Sequence, residues 1–153
     1  MRWRRSERME NLLISACLLG VDCKYSGGNN ALPEEVLAAL RERYRLIPVC
    51  PEVAGGLPVP RVPSERQGRW VTTREGADVT AQYEKGALIA LRLVRLYGCE
   101  AALMKERSPA CGSGEIYDGS FSGRRVAGYG TAAELLTRSG ITVYGESRIE
   151  EIL

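Results

Sequence analysis

Histidine is missing from the chain's 153 residues. With it go the Ser-His-Asp and Cys-His arrangements, the helical His-Glu-x-x-His zinc site and every imidazole general base, so any catalyst here works with Cys, Glu, Asp, Lys or Ser. No apolar run approaches the roughly 18 residues that a membrane span requires. A net charge of +2 is too small to serve as the electrostatic footprint of a nucleic-acid binder. The basic opening Met1-Arg-Trp-Arg-Arg-Ser-Glu-Arg8 leads directly into what reads as a core strand, without the apolar segment of a secretory leader. These absences predict one domain in a cytoplasmic, reducing setting, preceded by a flexible tail over residues 1–11, with no membrane and no nucleic-acid partner.

Against them stand five cysteines, Cys17, Cys23, Cys50, Cys99 and Cys111. An odd number without an export signal points to ligands or nucleophiles rather than disulfides. Leu12 to Ala16 reads as a buried parallel strand that ends in Cys17-Leu-Leu-Gly-Val-Asp-Cys23 and a Gly27-Gly-Asn-Asn30 loop. Pro33, Glu34 and Glu35 open a helix carried on by Val36, Leu37, Leu40 and Tyr44 at helical spacing. Arg45 to Val49 is a second strand, stopped by Cys50-Pro-Glu52 and a stretch rich in Pro and Gly through Pro63.

Thr80 is placed to cap a helix over Ala81 to Tyr97, with Leu88, Leu91, Leu93, Val94 and Leu96 as its apolar stripe and Gly98 as its stop. Glu100 to Met104 is a third strand, and Ile116 to Phe121, centred on Asp118-Gly119, a tight hairpin. Thr131 to Ser139 makes a helix closed by Gly140, and Ile141 to Tyr144 the last strand. The alternation predicts an α/β fold: one three-layer, Rossmann-like domain over residues 12–153, with a mainly parallel sheet and a small β-hairpin insertion.

Cys17, Cys50 and Cys111 each follow a predicted strand, and the carboxyl ends of parallel strands form the ligand-binding edge of such sheets. Their wide spacing fits no compact zinc finger, so the fold itself has to bring them together. Three soft thiolates without imidazole suit zinc or an iron–sulfur cluster; on a four-iron cube they leave one iron open. Cys23, in the same loop as Cys17, is either a fourth ligand or a structural neighbour. Cys99 reads as a small core residue. Glu52 can position water or carry a proton, or be a solvated loop charge, and Ser108 can bond a substrate or complete a turn before Pro109. Lys105 and Glu106 read as exposed charges at a strand end.

Seven motifs occur in order: Ser15-Ala-Cys-Leu-Leu-Gly20, Cys23-x-Tyr25, Pro48-Val-Cys-Pro-Glu52, Gly55-Gly-Leu-Pro58, Val71-Thr72, Glu75-Gly76 and Lys105-x-x-Ser-Pro-x-Cys-Gly-Ser-Gly114. With them the chain resembles the thiouracil desulfidase family from about Leu12 to Tyr144. The resemblance implies a 4Fe-4S cluster on Cys17, Cys50 and Cys111 with one iron free of protein ligand, an acid/base carboxylate at Glu52 and an assisting Ser108. It implies hydrolytic removal of sulfur from 2-thiouracil or a related thiolated pyrimidine, with release of sulfide and no net electron transfer. Ala110 and Ser26 depart from the family pattern and leave the implied ligands in place. A non-catalytic zinc module and a persulfide-forming sulfur-transfer enzyme are the rival expectations.

Overall fold

The structure, a computed structural model, describes residues 9–153. The basic opening Met1–Arg8 lies outside the described residues. Four parallel strands build the central sheet: β1 (Glu10–Ser15), β2 (Tyr44–Val49), β5 (Ala101–Met104) and β8 (Thr142–Gly145), in the order β2-β1-β5-β8. β1 starts at Glu10, so Glu10 and Asn11, expected in the tail, belong to the sheet and pair with Tyr44 and Arg45.

Helices cover both faces, as the expected three layers require. α1 (Glu34–Arg43) carries Glu34 and Glu35 in its first turn and Arg41 and Arg43 in its last, charges that complement the helix dipole at each end. Leu40 of α1 packs with Leu12, Ile14 and Leu103 on one face of the sheet, together with Ile149 and Ile152 from the C-terminal segment. On the other face, α3 (Thr80–Tyr97) and α4 (Thr131–Arg138) pack against Leu13, Ala102 and Met104. Each of Leu12, Leu13, Ile14 and Leu103 is fully buried, and truncating a buried leucine costs about 2–5 kcal/mol.

The helix expected near Ala81 exists, and of its expected stripe Leu91 and Val94 are buried and Leu93 packs beside them, but Leu88 and Leu96 fall outside the buried face. Tyr83, Ala87, Ala90, Leu91 and Val94 face the core, whereas Leu88 and Leu96 are 62% and 65% exposed. The spacing Tyr83, Ala87, Ala90, Val94 is itself a helical stripe, and its small residues let α3 lie close to the sheet. Thr80 does not cap its own helix: Asp78 accepts the Thr80 N–H (2.9 Å), and the Thr80 hydroxyl accepts the Val71 N–H instead.

Four elements went unrecognised in the sequence: a 3-10 turn at Ala16–Leu19, the short α2 (Pro51–Ala54), a 3-10 turn at Glu146–Glu151 and an antiparallel hairpin of β3 (Ser64–Gln67) and β4 (Trp70–Thr73). The expected hairpin near residue 118 is wider than a two-residue turn. β6 (Ser113–Tyr117) and β7 (Arg125–Tyr129) are joined by residues 118–124, with Asp118-Gly119 at the start of the loop rather than at its centre.

Candidate active site

The chain runs from β1 through α1 to β2 on one side of β1, then crosses to β5 on the other. The carboxyl ends of β1 and β5 therefore flank a topological switch point, where open α/β sheets bind ligands. A cavity of about 570 Å³ lies at this edge, lined by Cys17, Cys23, Cys50 and Cys111 and by Glu52 and Ser108. All six residues come together; Cys99 is buried in the core beside α3 and stays apart from them.

Cys17 sits in the 3-10 turn after β1, where its carbonyl accepts the N–H of Asn30 (2.9 Å) and pulls the Gly27–Asn30 loop back over the strand end. Cys50 joins β2 to α2 as the residue before the helix. The Cys23 carbonyl accepts Arg61 Nη2 (2.9 Å), and the Cys50 thiol points at the same oxygen from 3.8 Å.

Cys111 is held by α4. The first amides of that helix donate to the preceding loop, Thr131 N to Pro109 O and Ala132 N to Ala110 O, both at 2.9 Å. A helix N-terminus has such donors free, and here they fix the backbone on which the thiol rides. Gly130 makes the approach possible, because a Cβ there would fall 2.4 Å from the Ala110 carbonyl carbon. Ser108 Oγ accepts the N–H of Ala110 (3.1 Å) and of Cys111 (3.0 Å), so both its lone pairs are used and its hydrogen is left to give.

Glu52 is neither a solvated loop charge nor a helix cap. Its Oε2 accepts Tyr83 OH at 2.7 Å and Arg61 Nε at 3.1 Å, with the Arg61 and Glu52 side chains only 6% and 16% exposed. α2 reaches Tyr83 by close packing on α3: a Cβ on Gly86 would meet Pro51 O at 1.8 Å. Burial and the facing Glu52 carboxylate push the Tyr83 phenol well above its ordinary range, so it stays a donor. Arg61 and Tyr83 were missed in the sequence. Arg61 is the only charged residue from Val53 to Ser64, which is the signal that could have found it, whereas Tyr83 looks like core. Lys105 and Glu106 also line the cavity; Lys105 pairs with Glu146 at 2.6 Å.

The thiols oppose one another's ionisation. Burial raises Cys17 and Cys111, and burial together with the Cys50 charge pushes Cys23 up to about 12. A cationic centre relieves both costs at once, by neutralising the thiolates it binds. Among the described residues, no three His, Cys, Asp or Glu side chains are grouped so as to hold a single metal ion. Soft thiolates without imidazole are the donors an iron–sulfur cluster takes, and the cavity gathers them at one edge, so the donor set fits that group.

The same fold recurs in known proteins. A solved structure of a 4Fe-4S-dependent thiouracil desulfidase, TudS, superposes with a TM-score of 0.89 at 48% identity, over 93% of this chain and 94% of that one. The uncharacterized protein YbbK of Bacillus subtilis (strain 168) is 36% identical over 152 residues, 93% of this chain and 99% of the relative. Residues 12–148 match one family throughout, and that span includes every thiol-bearing loop of the cavity: the chain belongs to the 2-thiouracil desulfurase family.

Proposed function

We propose that this chain is a 4Fe-4S-dependent thiouracil desulfidase in which Cys17, Cys50 and Cys111 hold the cluster, Glu52 is the acid/base and Ser108 assists. The observation that carries the reading is the meeting of those three thiols with a largely buried carboxylate that accepts two hydrogen bonds in one cavity, in a chain 48% identical to TudS. The reaction converts 2-thiouracil and water to uracil and hydrogen sulfide, without oxidation or reduction. When bound, a cluster on three thiolates supplies one iron without a protein ligand, a soft Lewis acid matched to thiocarbonyl sulfur.

The chain's own groups manage the protons and the orientation. Arg61 and Tyr83 both engage Glu52 Oε2, which leaves Oε1 to take a proton from the attacking water and return it to the departing sulfur. Ser108 offers its hydrogen to the pyrimidine, because its oxygen is already occupied by two backbone amides. Thiols of this kind persist in a reducing cytoplasm. Among the described residues, no helix is long and apolar enough to cross a membrane.

Cys23 carries a second reading as a fourth ligand, because its thiol lies in hydrogen-bonding reach of Cys50. Anaerobic reconstitution with iron and sulfide analysis separates the two. Cys17→Ser, Cys50→Ser and Cys111→Ser are each expected to lose most of the cluster, and Cys23→Ser to keep about four irons per chain. Cluster loss in Cys23→Ser alone overturns the ligand assignment. Wild-type enzyme with a full cluster that releases no sulfide from 2-thiouracil or another thiolated pyrimidine overturns the activity.

A further inference from the structure

The loop of residues 118–124 between β6 and β7 reaches the same cavity, where Phe121 and Gly123 join the thiols in the wall. Phe121 is the only phenylalanine in the chain. Its backbone lies in the left-handed region at φ 57°, a conformation that bulky L residues rarely adopt. Outliers of this kind persist when the surroundings over-determine them, and they gather at ligand-binding sites.

The surroundings here are explicit. Glu65 of β3 uses one oxygen, Oε1, to accept the N–H of Gly119 (3.0 Å) and that of Phe121 (3.1 Å). The Arg74 guanidinium stands 5.8 Å from the Phe121 ring centroid, within cation–π range. Two residues more than forty positions away in sequence thus pin one aromatic ring at the cavity, and the chemistry assigned to the thiols, Glu52 and Ser108 makes no use of that ring.

We infer that Phe121 is a binding residue for the ring of the substrate: it stacks on the planar pyrimidine while the sulfur end of the molecule meets the thiol-bearing loops. The inference rests on the desulfidase reading for the identity of the base. Every pyrimidine has a π-face, and aromatic stacking on a nucleobase contributes strongly and tolerantly to binding. Glu65 and Arg74 are positioning residues, acting through the loop and the ring.

The experiment compares reconstituted wild type with Phe121→Ala, Phe121→Leu and Phe121→Tyr, reading kcat and KM for sulfide release from 2-thiouracil and, separately, calorimetric binding of uracil. Phe121→Ala and Phe121→Leu are expected to raise KM and the uracil Kd about tenfold, to lower kcat by less than about threefold and to leave the iron content unchanged. Phe121→Tyr keeps the ring and should stay close to wild type. Glu65→Ala, which frees the loop, should raise KM without loss of iron, and Glu65→Gln should restore part of the difference.

A wild-type uracil Kd in Phe121→Leu would show that apolar volume suffices and would overturn the stacking role; so would a loss confined to kcat. If Phe121→Ala fails to fold, the leucine and Glu65 variants carry the same decision. If wild type releases no sulfide, the desulfidase reading fails while the uracil titration still decides whether Phe121 holds a pyrimidine.

Discussion

Two concavities share one wall in this molecule. The first, about 570 Å³, holds the four thiols; the second, about 780 Å³, lies on the other side of the two hairpins. The hairpins divide them: on β3, Ser64 and Glu65 line the first and Arg66 and Gln67 the second, and on β6, Tyr117 lines the first and Ile116 the second. Volume alone would select the second cavity as the place of chemistry. The charged groups select the first. Arg61 and Glu52 are 6% and 16% exposed there, whereas the ion pairs of the second cavity leave their carboxylates more open, Arg66–Glu134 at 10% and 32% and Arg69–Glu84 at 69% and 39%. A solvated ion pair contributes little and is replaceable, but a buried carboxylate demands partners and is kept where its chemistry is used.

The sharpest way to break this contrast is Glu52→Gln. Loss of a positioned acid/base costs about 10²- to 10⁴-fold, so sulfide release is expected to fall by at least about a hundredfold with the iron content unchanged. An active Glu52→Gln enzyme would reduce the buried carboxylate to a structural brace. Tyr83→Phe is the next step down. It keeps the ring that packs in the core and removes only the hydroxyl at 2.7 Å from Glu52 Oε2. Deleting one hydrogen bond to a charged group costs roughly 1.5–3 kcal/mol; if half of that is felt in the transition state, turnover falls about four- to thirteenfold. Measured kcat with KM held near wild type would place Tyr83 behind Glu52, and an unchanged kcat would remove it from the mechanism.

The parallel sheet and the convergence of the three cysteines were legible because both follow from short-range pattern plus topology. Apolar runs ending in Cys17, Cys50 and before Cys111 mark strand ends, and the carboxyl edge of a parallel sheet is one place. The contacts of Glu52 were not legible. They depend on two glycines, Gly55 and Gly86, that let α2 and α3 approach within backbone contact, and a glycine in sequence does not say which element it admits. The leucine stripe of α3 was misread in part for a related reason. Counting large apolar residues favoured Leu88 and Leu96, while the packed face is set by Ala87 and Ala90, whose small size brings the helix to the sheet. Phe121 was placed in a tight turn because Asp118-Gly119 resembles one; the wider loop depends on Glu65, from a hairpin that the sequence did not announce.

The smallest expected effect belongs to the second cavity and tests the contrast from its other side. Glu134 pairs with Arg66 at 2.6 Å, and that hydrogen bond holds its carboxyl below the ordinary 4.5 against the opposing effect of burial. A carboxyl lowered on folding adds stability that is fully present above the unfolded value, near pH 4.5, and is lost as the pH falls through the folded value, because the unfolded chain takes the proton first. Glu134→Gln keeps an oxygen for Arg66 to donate to but removes the charge. The variant should therefore show a shallower loss of melting temperature below pH 4.5 than wild type, with turnover at neutral pH within about twofold. A fall in turnover comparable to that of Glu52→Gln would mean that the second cavity takes part in the reaction, since Glu134 lies only three residues from the Thr131 amide that clamps the Cys111 loop. Unchanged turnover with the altered acid limb would confine the chemistry to the buried side of the hairpin wall.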